Sequence, residues 1–190
     1  MGLGQSEFIS HTIQKCVDNS ISFKLLPQKT HQRLLGFFDN YNLVTCTNNE
    51  EWLSTLVHES CHLDQFLAGY KPFFDPVFDK VSIWEPEHRV KDPILFKKAF
   101  RISAQIEINC DRRAVKKIKK YNLDIDLDYY RQTSNFHHAT YYYFHKTGKS
   151  LQMDSEILDL FPTKSISSLK TAWRERKDLD NFLKSCNTPL

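Results

Sequence analysis

The chain has no apolar run approaching the ~20 residues that a bilayer-spanning helix requires, so no membrane span is expected. Its opening segment, Met1 to Lys15, mixes Gln5, Glu7, His11 and Gln14 with apolar positions and forms no secretory h-region. There is no C-x-x-C pair. The five cysteines (Cys16, Cys46, Cys61, Cys110, Cys186) are odd in number and scattered, which disfavours a disulfide framework or a cysteine-based structural zinc site. A reducing, cytoplasmic setting is the expectation. Five glycines and seven prolines in 190 residues are too few for a loop-dominated fold, and no internal repeat is evident, so helix should dominate. A net charge of +3 demands neither nucleic acid nor an anionic membrane as partner.

What is present suits one folded domain spanning 1–190. The composition is 41% hydrophobic and 26% charged, which supports a packed core and excludes the disordered class. Met-Gly-Leu-Gly-Gln-Ser also matches the loose myristoylation pattern at Gly2 and Ser6.

Apolar spacing predicts a first helix over 5–17 (Phe8, Ile9, Ile13, Val17) and a short strand over 21–26. A hairpin is predicted with arms at 34–38 and 43–47 around Asp39-Asn40-Tyr41-Asn42. A second helix should start at Asn48 or Asn49, either of which can cap it, and end at Gly69. Pro72, Pro76, Pro86 and Pro93 make 70–93 irregular. A long helix over 94–121, another over 127–146, and shorter ones over 155–160 and 168–183 complete the reading.

Within the second helix lies His58-Glu59-Ser60-Cys61-His62, an H-E-x-x-H run. Residues four apart share a helical face, so the two imidazoles can reach one zinc ion, with Glu59 beside them to accept a proton from metal-bound water. A catalytic zinc usually has three protein ligands. The long helix supplies Glu107 and, four residues on, Asp111. A metzincin extension is excluded, because Gln65 and Ala68 stand where it needs glycine and histidine. His88 and Asp64 remain alternative third ligands.

H-E-x-x-H followed by E-x-x-x-D resembles the gluzincin metallopeptidases, the thermolysin-like clan. The resemblance covers the two motif helices and the small sheet before them. It implies an α+β, zincin-like fold with a mostly helical C-terminal part, and a zinc-dependent peptidase holding one Zn2+. It implies His58, His62 and Glu107 as ligands, Asp111 supporting His58 through its other ring nitrogen, and Glu59 as general base and acid. The substrate would be a protein or peptide lying along an exposed strand edge. An oxyanion donor would come from the aromatic run after the ligand helix, where His138 and Tyr142 are the residues chosen; such a stripe also serves as ordinary core.

Two other classes fit the same residues. One is a non-catalytic zinc-binding regulatory or assembly protein. The other is a nucleic-acid-associated protein using the basic helix 112–120, although lysines in the last turns of a helix also complement its dipole.

Overall fold

A computed structural model describes residues 3–27, 35–77, 91–147, 158–159, 161 and 163–166. The expected helices over 155–160 and 168–183, the residue His88 and the pattern at Gly2 lie wholly or largely outside these residues. Four α-helices and one small sheet are described: α1 (Leu3–Asp18), β1 (Ser22–Leu26), β2 (Gly36–Phe38), β3 (Asn42–Cys46), α2 (Trp52–Leu67), α3 (Pro93–Lys120) and α4 (Leu127–Thr147). The architecture is α+β and mostly helical. Among the described residues no helix is long and apolar enough to cross a membrane.

The sheet order is β1-β3-β2. β3 runs parallel to β1, pairing Ser22 with Asn42 and Leu26 with Cys46, and antiparallel to β2, pairing Gly36 with Thr45. The hairpin between β2 and β3 is set by Asp39, whose Oδ1 accepts from the backbone N–H of Tyr41 and Asn42, and by Asn40 at φ 72°. Leu43, Val44, Thr45 and Cys46 are buried, as a central strand requires, whereas β2 is a half-buried edge.

α2 does not begin on an asparagine cap. Asn49 instead turns its side-chain amide to the carbonyl of Cys46 at 2.7 Å, and the helix starts at Trp52 after Glu51, which makes no side-chain cap bond. The earlier start fails because closing the turn out of β3 uses the asparagine. Gly69 ends the helix at φ 62°, the left-handed C′ conformation that glycine adopts without strain. α3 is capped by Asp92, whose side chain accepts from Leu95 N at 2.9 Å, with Pro93 in its first turn.

The main core joins α1, β3, α2 and α3 through Phe8, Cys16, Leu43, Leu56, Val57, Leu63, Ala114 and Ile118. Full burial of each large aliphatic residue contributes about 1.5–3 kcal/mol. α1 can cross the end of α3 only because residue 4 is glycine: a Cβ there would lie 1.8 Å from the carbonyl oxygen of Tyr121. A second cluster gathers Phe96, Phe100, Ile102 and Ile106 of α3 with Tyr142 of α4. These contacts hold α2, α3 and α4 side by side.

The basic run on α3 is partly consumed internally. Lys117 donates to the carbonyl and hydroxyl of Ser60 at 3.0 and 2.8 Å and pairs with Asp64 at 2.8 Å. Arg113 bonds Asn109 at 2.9 Å. Asp64, the alternative ligand, is held between Lys15 and Lys117, on the side of α2 that also carries Ser60 and Leu63.

Candidate metal centre

On α2, the residues Leu53, Leu56, Val57, Ser60 and Cys61 face the core, leaving His58, Glu59 and His62 at its margin, half-buried. On α3, Glu107 and Asp111 share one face because they are four apart. Packing α2 against α3 brings these two edges together. His58 Nε2 lies 3.1 Å from His62 Nε2 and 3.2 Å from Glu107 Oε2, and His62 Nε2 lies 3.6 Å from the same oxygen.

Hydrogen bonding at the far side of each ring sets which nitrogen carries a lone pair. His58 Nδ1 is 2.9 Å from Asp111 Oδ1. His62 Nδ1 is 2.9 Å from the Oε1 of Gln65. That amide is fully buried, and its nitrogen donates to the Ile106 carbonyl at 2.8 Å and to Asn109 Oδ1 at 3.0 Å, so its oxygen can only accept. Both Nδ1 atoms therefore donate, and each ring, when neutral, turns an Nε2 lone pair toward Glu107. Two lone pairs and a carboxylate so close together repel one another unless a proton or a cation lies among them.

The separations fit a cation. Tetrahedral ligands at 2.0–2.1 Å from zinc stand about 3.3 Å apart, and the three observed distances bracket that value. His58, His62 and Cys110 likewise form a group that could hold a metal ion, their ligand atoms lying within 4.8 Å of one another. The Cys110 thiol, however, donates to the His58 carbonyl at 3.2 Å, and burial together with neighbouring Cys61 pushes its pKa well above the ordinary thiol range. A metal bound there through Cys110 would have to displace that proton and form the thiolate.

The electrostatics follow from this crowding. Burial alone would lower the pKa of His58, but hydrogen bonds and charge from Asp111 and then Glu107 raise it well above its usual value. Burial would raise Glu107, yet the charge of His62 and the bonds from both histidines hold it far below the carboxylate range. Burial raises Glu59, with the carboxylates of Glu107 and Asp111 adding to it against the two histidines.

Asp111 is the hub behind the site. Its Oδ1 accepts from Tyr130 OH at 2.8 Å as well as from His58. Its Oδ2 lies 2.9 Å from His138 Nε2, close enough for an ion pair though not aligned as a hydrogen bond. Burial would raise its pKa, but His138 and His58 drive it far below the ordinary carboxylate range.

A cleft of about 770 Å³ opens over these groups, lined by Gly36, His58, Glu59, Glu107, Asp111 and Tyr141 among others. His138 reaches it too, from a nearly buried position behind Asp111. Tyr142 does not line it. That ring packs into the cluster with Phe100 and Ile106, because α4 turns residues 130, 134, 138 and 141 to the cleft and 142 to α3. Tyr141 is the phenol on the cleft side; burial, then the charges of Glu107, Asp111 and Glu59, push its pKa well up.

Three participants were not singled out from sequence: Gln65, Tyr130 and Tyr141. Gln65 stands three residues after His62, within reach on the same helix face, and that spacing is the signal that could have found it. Comparison with protein-family models, with curated proteins and with solved structures finds no match for this chain.

Proposed function

We propose that the chain is a single-zinc peptidase of the gluzincin type, with a zincin-like arrangement of sheet, motif helix and ligand helix. The observation that carries this reading is the convergence of His58 Nε2, His62 Nε2 and Glu107 Oε2 within 3.1–3.6 Å, backed by Asp111 on His58 Nδ1. Zinc bound there would polarise a carbonyl group and lower the pKa of a bound water to about 7.

The chain's own residues supply the remainder. Glu107 contributes the anionic ligand, while Asp111 and Gln65 hold the imidazoles in the tautomer that presents Nε2. Glu59, in the same cleft, takes the proton from the attacking water and returns it to the leaving amine nitrogen. Tyr141 lies on the cleft wall contributed by α4 and is the candidate donor to the developing oxyanion. Strand β2 borders the cleft at Gly36, and its outer edge carries no partner strand within the described sheet. An extended peptide can add there through backbone hydrogen bonds.

Gly36 makes this approach possible. A Cβ at that position would lie 2.7 Å from Thr55 Cγ2, 2.8 Å from Val44 O and 3.4 Å from Glu59 Cγ, so only glycine lets the edge strand sit so close to α2.

The test is hydrolysis of a peptide library by the zinc-loaded protein beside its Glu59→Gln variant. The variant should keep its zinc and lose at least about 100-fold in rate. Equal rates would remove Glu59 from the chemistry, and no hydrolysis by either protein would remove the peptidase.

A further inference from the structure

α4 holds Asp111 by both of its carboxylate oxygens. Tyr130 and His138 stand two turns apart on α4, about 12 Å along the helix axis, and their side chains converge on this one carboxylate. Tyr130 OH donates to Oδ1 at 2.8 Å, the oxygen that also meets His58 Nδ1 at 2.9 Å. His138 Nε2 lies 2.9 Å from Oδ2, and among the described residues Oδ2 has no other partner. All of this is enclosed, since Tyr130, His138 and Asp111 are 7%, 5% and 4% exposed.

The proton on His138 is placed by that contact. A lone pair on Nε2 facing a carboxylate oxygen at 2.9 Å would be repelled, so Nε2 carries a hydrogen. Nδ1 is buried and has no hydrogen-bond partner. An apolar side chain of similar size would leave no such orphan, so packing alone does not account for an imidazole here. What the imidazole adds is a hold on Oδ2. The terminal torsion of an aspartate is soft, so a carboxylate held at Oδ1 alone can turn about its last bond. Held at both oxygens, it keeps one orientation.

We infer that His138 is a positioning residue for the metal centre. By fixing Oδ2 it sets the plane of the Asp111 carboxylate, keeps Oδ1 on His58 Nδ1, and so keeps the Nε2 of His58 turned to the metal. The inference rests on the metal-binding part of the reading above and not on peptide hydrolysis. It also separates His138 from the oxyanion role, because the nitrogen that would donate there is turned to Asp111 instead.

The first arm of the experiment uses zinc-free wild-type protein with isotope-labelled histidine. Long-range proton–nitrogen correlation NMR should show His58 protonated at Nδ1 and His138 at Nε2, each assigned by its loss in His58→Gln or His138→Gln. A His138 ring with its only proton on Nδ1 overturns the inference. The second arm measures competition for zinc against a calibrated chelator. It compares His138→Gln, whose amide nitrogen reaches about as far as Nε2, with the shorter His138→Asn and the apolar His138→Leu. Asn and Leu should weaken zinc binding about tenfold and leave His58 a mixture of tautomers, whereas Gln should stay within about threefold of wild type. His138→Asn serves where His138→Leu fails to fold. Equal losses in all three variants mark a structural role and overturn the inference. So does zinc affinity in Asn and Leu within about twofold of wild type, with or without a loss of peptide hydrolysis. Wild-type protein that binds no zinc overturns the inference and the metal centre together. Zinc binding without cleavage of any peptide refutes the peptidase alone, and the positioning role then stands on the two arms above.

Discussion

Replacing Asp111 by asparagine should separate the metal's affinity from the stability of the fold. The native carboxylate receives Tyr130 OH at 2.8 Å and His58 Nδ1 at 2.9 Å on one oxygen, with His138 Nε2 2.9 Å from the other. An asparagine oriented with its oxygen toward Tyr130 and His58 keeps both of those bonds, and its amide nitrogen then faces His138, whose neutral ring can accept there. The shape survives, and what disappears is the negative charge behind His58. Loss of such a supporting carboxylate typically weakens metal binding 10- to 100-fold, or about 1.4 to 2.8 kcal/mol. Asp111→Ala is the harsher comparison. It strands Tyr130 OH and His58 Nδ1–H at about 1–3 kcal/mol for each unsatisfied group, so the fold should weaken by roughly 2–6 kcal/mol. The assay pairs competition for zinc against a calibrated chelator with urea denaturation of each zinc-free protein. Zinc affinity of Asp111→Asn within twofold of wild type would refute the role assigned to Asp111.

Three other substitutions test neighbouring parts of the structure. Gly36→Ala forces a Cβ against Thr55 and Val44 O, and should cost about 1–3 kcal/mol by urea denaturation while lowering peptide hydrolysis; an unchanged midpoint would mean that β2 does not sit against α2 as described. Lys117→Met removes the donor to Ser60 and a partner of Asp64, and should destabilise the protein by about 1–3 kcal/mol without changing zinc stoichiometry; salt-dependent loss of DNA binding with unchanged stability would favour the nucleic-acid alternative instead. Tyr141→Phe should lower kcat by about 100- to 1,000-fold with little change in KM, whereas Tyr142→Phe should leave kcat within about threefold; the reverse pattern would restore the choice made from sequence.

The helices and the metal-ligating residues were legible to different degrees, for physical reasons. α1, α3 and α4 follow from apolar periodicity, and their observed ends fall within a few residues of the expected ones, as frayed termini allow. The pairing of β1 with β3 could not be read, because a parallel partner depends on the path of the intervening chain and not on a local turn. His58, Glu59 and His62 are visible as a motif because one helix turn is a fixed geometry. Glu107 and Asp111 become meaningful only once α2 packs on α3, an arrangement decided by core residues such as Leu56, Cys61, Cys110 and Ala114. The choice between Tyr141 and Tyr142 turns on the rotation of α4, and in a run of three tyrosines no periodicity marks the buried one. Lys117 reads as one more solvated lysine until Ser60 and Asp64 are placed opposite it.

The most direct test of the metal centre is X-ray absorption at the zinc edge on stoichiometrically loaded protein, alongside Glu107→Ala and Cys110→Ser. The account predicts one zinc per chain in a shell of nitrogen and oxygen at about 2.0–2.1 Å. That shell should be unaltered by Cys110→Ser and depleted in occupancy by Glu107→Ala. A sulfur at about 2.3 Å that vanishes in Cys110→Ser, or full zinc occupancy in Glu107→Ala, would contradict it.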